Sequence, residues 1–204
     1  MAISLSSLKS TKRNDPPITL IYGVDGIGKT SVAAEFPNPL FLGTEGERPP
    51  SDVDLPTPGV ITSLNDVFDV FGELLDTDSD GNLQHNFGTV IIDSLDGLEP
   101  LVWRATCARL GINSIEDAGF GKGYVEADTE WNEYLSAVAA LAQAGIYVVQ
   151  LAHPEIVRFD SPTSDPYSRY PSRPAQFSSR LDLRRAKRLT RLRPSTAASR
   201  SNTA

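Results

Sequence analysis

Gly23-Val24-Asp25-Gly26-Ile27-Gly28-Lys29-Thr30 follows directly on an apolar run, Ile18-Thr19-Leu20-Ile21-Tyr22, and the two together read as a buried strand feeding a phosphate-binding loop. Each residue type in the loop has a physical reason. Gly26 and Gly28 permit a tight backbone path that turns successive N–H groups toward one anion, where a Cβ would fit less well. Lys29 can reach the β and γ phosphates and the Thr30 hydroxyl can ligate Mg²⁺. The helix that opens at the loop adds the positive end of its dipole. Gly23, Asp25, Gly26, Ile27, Gly28, Lys29, Thr30 and Ser31 are therefore the expected nucleotide-binding residues, with ATP and Mg²⁺ as the expected ligands. A ligand is assigned by these residues, but not yet a reaction.

The second informative stretch is Thr89-Val90-Ile91-Ile92-Asp93-Ser94, a β-branched run that ends in an acid. It has the form of a Walker B strand, and Asp93 at its tip is expected to hold the Mg²⁺ shell opposite Thr30 through water, because Mg²⁺ sheds its hydration reluctantly. Between and beyond these two strands the chain alternates. Thr30 to Phe36 predicts a short helix ended by Pro37 and Pro39, Leu40-Phe41-Leu42 a strand, and Val60-Ile61 another. Ser63 is placed to cap a helix with Val67, Phe68, Phe71, Leu74 and Leu75 on its apolar side. Leu98 to Leu110 and Val125 to Ala144 predict two more helices, stopped by Gly111 and Gly145, the second with Trp131, Leu135, Val138 and Leu141 inward. Ile146 to Ala152 predicts a last buried strand with His153 just past its tip. The expected class is α/β with a mainly parallel sheet flanked by helices.

Composition bounds the rest. A length of 204 residues, 40% hydrophobic and 22% charged, suits one well-buried domain plus tails. The single cysteine, Cys107, cannot form an internal disulfide, and the first residues lack the long apolar core of a signal peptide. A reducing cytoplasm is expected, and no stretch approaches the roughly 20 apolar residues a membrane span needs. The net charge of −7 hides an asymmetry: residues 1–170 carry 10 Lys+Arg and 25 Asp+Glu, residues 171–204 carry 9 Lys+Arg and one acid, Asp182. Three parts are expected: a flexible lead, 1–17, a core, 18–170, and a disordered basic Arg/Ser tail, 171–204.

The residue after Asp93 is Ser94, so the glutamate that many ATPases place there to orient water is absent. Glu45, after the strand that follows the phosphate loop, is one candidate base; Asp96 and Glu99 are the others, and sequence physics does not rank them. At this point the chain resembles phage-encoded ATPases of the RecA superfamily, the single-strand annealing type among AAA-family or phage nucleotide-binding proteins. The resemblance rests on Ile21-Tyr22-Gly23 with the loop, on Phe36 to Leu42 with Thr44-Glu45-Gly46, and on Val90 to Asp96. It continues through Ser114 to Asp117, Gly119 to Tyr124, Glu130-Trp131, Leu151-Ala152-His153 and Asp165-Pro166-Tyr167, covering roughly residues 7–170. It implies a RecA-like P-loop fold and DNA-linked ATP hydrolysis in phage recombination. It implies that Glu45 polarises the attacking water and that His153 senses the γ phosphate beside the catalytic Lys29. It also implies single-stranded DNA, a homo-oligomeric ring or filament and a phage single-strand-binding protein as partners, within a bacterial host cytoplasm. Gly43 departs from the pattern, since related chains commonly carry an aspartate there.

Gly119-Phe120-Gly121-Lys122-Gly123-Tyr124 lies where RecA-like proteins carry a DNA-facing loop. Phe120 and Tyr124 can stack on bases and Lys122 can meet a phosphate, or the segment is a turn with a buried Phe and Tyr. Arg158 and Arg169 are candidates for DNA contact or for acting in trans on a neighbour's γ phosphate. His85 is expected to be a solvated loop residue. After Pro171 the family's final helix and strands give way to the basic tail, so the sheet is expected to lack its last strands. Two readings of that tail stand: a replaced or out-of-frame terminus, or a DNA-binding arm. Alternatives to the ATPase are a nucleotide-dependent DNA-binding or assembly module of negligible turnover, and a small-molecule kinase.

Overall fold

The apolar runs offered by the sequence become strands, and every neighbouring pair in the main sheet is parallel. The computed structural model describes residues 15–154 and the backbone of three short strands beyond them. In chain order the elements are β1 Ile18–Tyr22, α1 Lys29–Ala34, β2 Pro39–Thr44, β3 Val60–Ile61, α2 Leu64–Leu75 and β4 Thr89–Asp93. They continue with α3 Leu95–Leu110, a 3₁₀ turn Ile115–Ala118, α4 Lys122–Glu126, α5 Asp128–Gln143 and β5 Tyr147–Ala152. The short strands are β6 Val157–Phe159, β7 Tyr167–Arg169 and β8 Arg188–Arg191. The sheet order β3-β2-β4-β5-β1-β8 seats β5 between the loop strand β1 and the Asp93 strand β4. Tyr22 is therefore level with Ala152, and Gly43 with Asp93, so the carboxyl ends of β1, β5, β4 and β2 form one row. Sites in open α/β sheets lie beyond such a row.

Strand alternation splits the core into two layers. Leu20, Leu40, Leu42, Val90, Ile92 and Val148 belong to the layer of α2, α3 and α5. Ile21, Phe41, Ile91, Val149 and Leu151 belong to the other, with Ala33 of α1. Each fully buried side chain of this kind is worth roughly 1.5–3 kcal/mol, so both layers hold the strand tips firmly in place. Central β5 also buries a polar group, Gln150, whose Oε1 accepts from the Tyr134 hydroxyl of α5 at 2.8 Å.

Local chemistry sets the helix ends. Ser63 caps α2 in a reciprocal box: its Oγ accepts from the Asp66 N–H at 3.1 Å, and Asp66 accepts from the Ser63 N–H at 2.8 Å. Hydrogen bonds from Ser63 and Thr62 hold the Asp66 carboxyl down at about 2. α3 begins three residues before the expected Leu98, because Ser94 caps it by accepting from the Gly97 N–H at 3.2 Å. The single helix expected from Val125 to Ala144 is two, α4 and α5, joined at Ala127. His85 is a correction: its Nε2 is 2.8 Å from the Leu74 carbonyl and its Nδ1 accepts from the Phe87 N–H, so the ring ties the 76–88 connection to the end of α2. Within the segment read as a basic tail, β8 lies parallel to β1 from Arg188 opposite Thr19 to Arg191 opposite Tyr22. The edge of β1 offers an open row of N–H and C=O groups, and Leu189-Thr190 supplies residues that tolerate an extended backbone. The rest of 171–204, and residues 1–14 of the lead, lie outside the described residues.

Candidate nucleotide site at the sheet tips

The loop between β1 and α1 is anchored at its start, where the Gly23 N–H donates to the Ala152 carbonyl of β5 at 3.3 Å. Gly26 and Gly28 have φ of +72° and +90°, and nothing stands within 4 Å of where their Cβ atoms would be. Glycine is thus required by the backbone and leaves open space, as a cradle for an anion needs. Ile27 and Ser31 are half-buried, Ser31 in the first turn of α1. Lys29 is buried, and its Nζ donates to the carbonyls of Gly23 at 2.9 Å and Val24 at 3.3 Å.

Thr30 meets Asp93 across the row: its hydroxyl donates to Asp93 Oδ2 at 2.9 Å. Asp93 is 3% exposed, and burial pushes its carboxyl up to about 6; the Thr30 hydrogen bond opposes the shift, the charge of Glu47 adds to it, and Lys29 and His153 draw it back. Its neighbourhood is pinned by Thr44 at the end of β2, whose Oγ1 donates to the Asp93 carbonyl at 3.3 Å and accepts from the Ser94 N–H at 3.1 Å. Gly97 lets the first turn of α3 pack on Thr44, because a Cβ there would collide with Thr44 Oγ1. Gly43, in place of the aspartate expected from the resemblance, accommodates the Phe41 ring, whose Cε1 would lie 2.7 Å from a Cβ.

The candidate bases separate in space. Glu45 is exposed in the turn after β2. Glu47, which the sequence reading passed over, is half-buried: its N–H closes that turn on the Thr44 carbonyl at 3.0 Å, and its Oε1 accepts from the Ser94 hydroxyl at 3.1 Å. Asp96 is committed to His153, accepting the His153 backbone N–H at 2.7 Å on Oδ2, with ring Nδ1 3.1 Å from the same oxygen. Glu99 is half-buried on α3. The far side of the His153 ring, Nε2, is 2.8 Å from Oδ1 of the loop residue Asp25. The Asp96 hydrogen bond, with the charges of Asp96 and Asp25, raises the His153 pKa above its ordinary value against burial and Lys29. Thr30 thus bonds Asp93 directly, while Lys29 and His153 both reach Asp25 and both act on the charge of Asp93.

The DNA-facing candidates diverge. Phe120 is fully exposed, at φ +46° between Gly119 and Gly121, both also at positive φ, and Lys122 is exposed. Tyr124 is instead held edge-on by Trp103, with ring centroids 5.5 Å apart. Arg158 and Arg169 lie on β6 and β7, which pair antiparallel; their side chains lie outside the described residues.

The residues present fit a magnesium nucleotide. Open glycines line the cradle, a buried lysine rests on carbonyls it can leave, and a buried carboxylate raised to about 6 gains most from a nearby cation. A parallel sheet with this loop at one strand tip and this aspartate at another defines a P-loop nucleotide-binding domain. A family model for AAA domains, AAA_24, matches residues 15–180, and the chain belongs to that family, whose members are P-loop AAA-type ATPase domains. No curated protein matches the sequence. Among the described residues no helix is long and apolar enough to cross a membrane.

Proposed function

We propose that this chain is a Mg²⁺-dependent ATPase whose turnover is coupled to single-stranded DNA, acting in phage DNA recombination and annealing within the bacterial cytoplasm. The observation that carries the ATPase reading is the convergence of Lys29, Thr30, Asp93 and His153 on one row of strand tips. In this reading Lys29 leaves the loop carbonyls for the phosphates, Thr30 and Asp93 hold Mg²⁺, and His153 contacts the γ phosphate. A Mg²⁺ ion held there would neutralise charge that develops on the phosphates. Glu45 orients the attacking water; support comes from its place at the end of β2, next in the sheet to β4.

The DNA part draws support from Phe120, an exposed aromatic beside an exposed lysine on a glycine-flanked tip. Stacking on such a ring is worth about 1–3 kcal/mol per base and is indifferent to sequence. A homo-oligomer in which Arg158 or Arg169 acts on a neighbour's nucleotide, and a phage single-strand-binding protein as partner, complete the proposal. The test is steady-state phosphate release from Mg²⁺ and ATP, with and without single-stranded DNA, for wild type, Lys29→Ala, Glu45→Gln and Phe120→Ala. DNA-stimulated release that is lost in the first two and loses its stimulation in the third is the expected result. Binding of nucleotide without turnover under any condition would replace the ATPase with an assembly module.

A further inference from the structure

His153 stands between two carboxylates of very different exposure. Asp96, 17% exposed, takes both the backbone N–H and ring Nδ1 of His153 on one oxygen, which directs Nε2 away from α3. What Nε2 meets is Asp25 Oδ1 at 2.8 Å, on the phosphate loop and 91% exposed. The same Asp25 oxygen is 3.9 Å from Lys29 Nζ. One anionic oxygen therefore sits between the two cationic groups assigned above to the nucleotide phosphates, and the arrangement uses three separate parts of the chain: the loop, α1 and the tip of β5.

We propose that Asp25 is an internal competitor of the terminal phosphate, and that a nucleoside triphosphate binds by exchange, taking His153 and Lys29 from it. The inference rests on the nucleotide reading above and adds a discriminating role to a residue that the loop pattern leaves unspecified. A diphosphate has no γ oxygens with which to compete for His153, so the His153 part of the exchange acts on ATP alone, whereas the release of Lys29, which also reaches the β phosphate, is common to both nucleotides. Removing the Asp25 charge also lessens simple repulsion of any phosphate, somewhat more for the more highly charged ATP, and the comparison with the His153→Gln background isolates the exchange. Exposed ion pairs are weak, which sets the expected change in the ATP-to-ADP affinity ratio at about two- to fivefold. The charged groups facing His153 are Asp96 from α3, Asp25 from the loop, Lys29 from α1 and, at longer range, Asp93 from β4.

The experiment is calorimetric titration of ATP and ADP into wild type, Asp25→Asn, His153→Gln and the double variant, with the imidazole of His153 followed by NMR titration. The chain has two histidines, so the His153 signal is assigned by its loss in His153→Gln. Asp25 is a surface residue, and its substitution leaves the core untouched. The expected result is that Asp25→Asn tightens ATP about two- to fivefold more than ADP. This preference should shrink to the repulsion effect in the His153→Gln background, and the His153 pKa should fall in Asp25→Asn. Equal effects on ATP and ADP, or an unchanged His153 titration, would overturn the exchange. Failure of every protein to bind any nucleotide would overturn the underlying nucleotide reading as well; the histidine titration, which needs no nucleotide, tells that failure from loss of the Asp25 contact.

Discussion

Asp93 and Glu130 are both buried carboxylates, yet they are built in opposite ways. Glu130, on the first turn of α5, is closed off by partners: Arg109 Nε donates to it at 2.6 Å and the Thr106 hydroxyl at 2.9 Å. Burial pushes its carboxyl up, but those hydrogen bonds outweigh burial and leave it below the ordinary glutamate range. Asp93 has one hydroxyl, the nearby negative charge of Glu47 and a carboxyl lifted to about 6. The first arrangement fastens α3 to α5. The second costs stability, and a cation held there would relieve it, which is how a site differs from a strut.

Substitutions at these two places should have opposite consequences. The largest expected effect is on nucleotide chemistry: Lys29→Ala should lower ATP turnover by about 10²–10³, the usual result of removing one preorganised charge stabiliser. Arg109→Ala, by contrast, should lower the melting temperature and leave ATP affinity unchanged, since it lies in the α3–α5 tie; calorimetry and thermal unfolding read the two effects separately.

Next in size is the Asp93 penalty. Its folded-state pKa is raised, from 3.8 to about 6, so the stability associated with the protonated form is present at acid pH and is lost as pH rises through about 6. Above that pH, Asp93→Asn should stabilise the nucleotide-free protein by roughly 2–3 kcal/mol in denaturant melts. Glu130 has the opposite sign. Its folded-state pKa is depressed, so its contribution is present above the ordinary glutamate range and lost as pH falls through the lowered value. Glu130→Ala should destabilise by about 1–2 kcal/mol near neutrality, allowing for solvent screening around the partly exposed Arg109, and the difference from wild type should shrink in acid.

How much of this the sequence disclosed follows from where the chemistry lies along the chain. The phosphate loop and the β4 aspartate are legible because each is written in consecutive residues with a strand beside it. The strands themselves are legible because their apolar runs need no partner to be recognised, whereas their order in the sheet depends on pairing between segments distant in the chain. The Asp25–His153–Asp96 chain was beyond reach, because His153 and Asp96 are 57 positions apart and nothing in either says that one oxygen serves both the backbone and the ring of the other. The roles of Glu45 and Glu47 hinge on one turn closed by the Glu47 N–H on Thr44, and composition carries no information about which of two nearby glutamates turns inward. The break between α4 and α5 falls at Ala127, where neither glycine nor proline marks it. β8 was missed because its arginines obscure any apolar period, while its pairing is through backbone groups that every residue possesses.

The smallest effect sharpens the comparison at its source. Glu47→Gln removes a negative neighbour of Asp93, so the Asp93 carboxyl should titrate lower, by less than about one pH unit given that burial is the first cause of its shift. Carbon-13 NMR of the side-chain carboxyls reads this directly, and an unchanged Asp93 would separate the two acids.

The most direct test of the account is the melting temperature of wild type and Asp93→Asn, each with and without Mg²⁺ and ATP. The nucleotide-free variant should melt higher than wild type, and Mg²⁺ with ATP should raise wild type far more than the variant, so that the order of the two proteins narrows or reverses. A variant that melts no higher alone and gains as much from Mg²⁺ and ATP as wild type would contradict the assignment of Asp93 to the metal site.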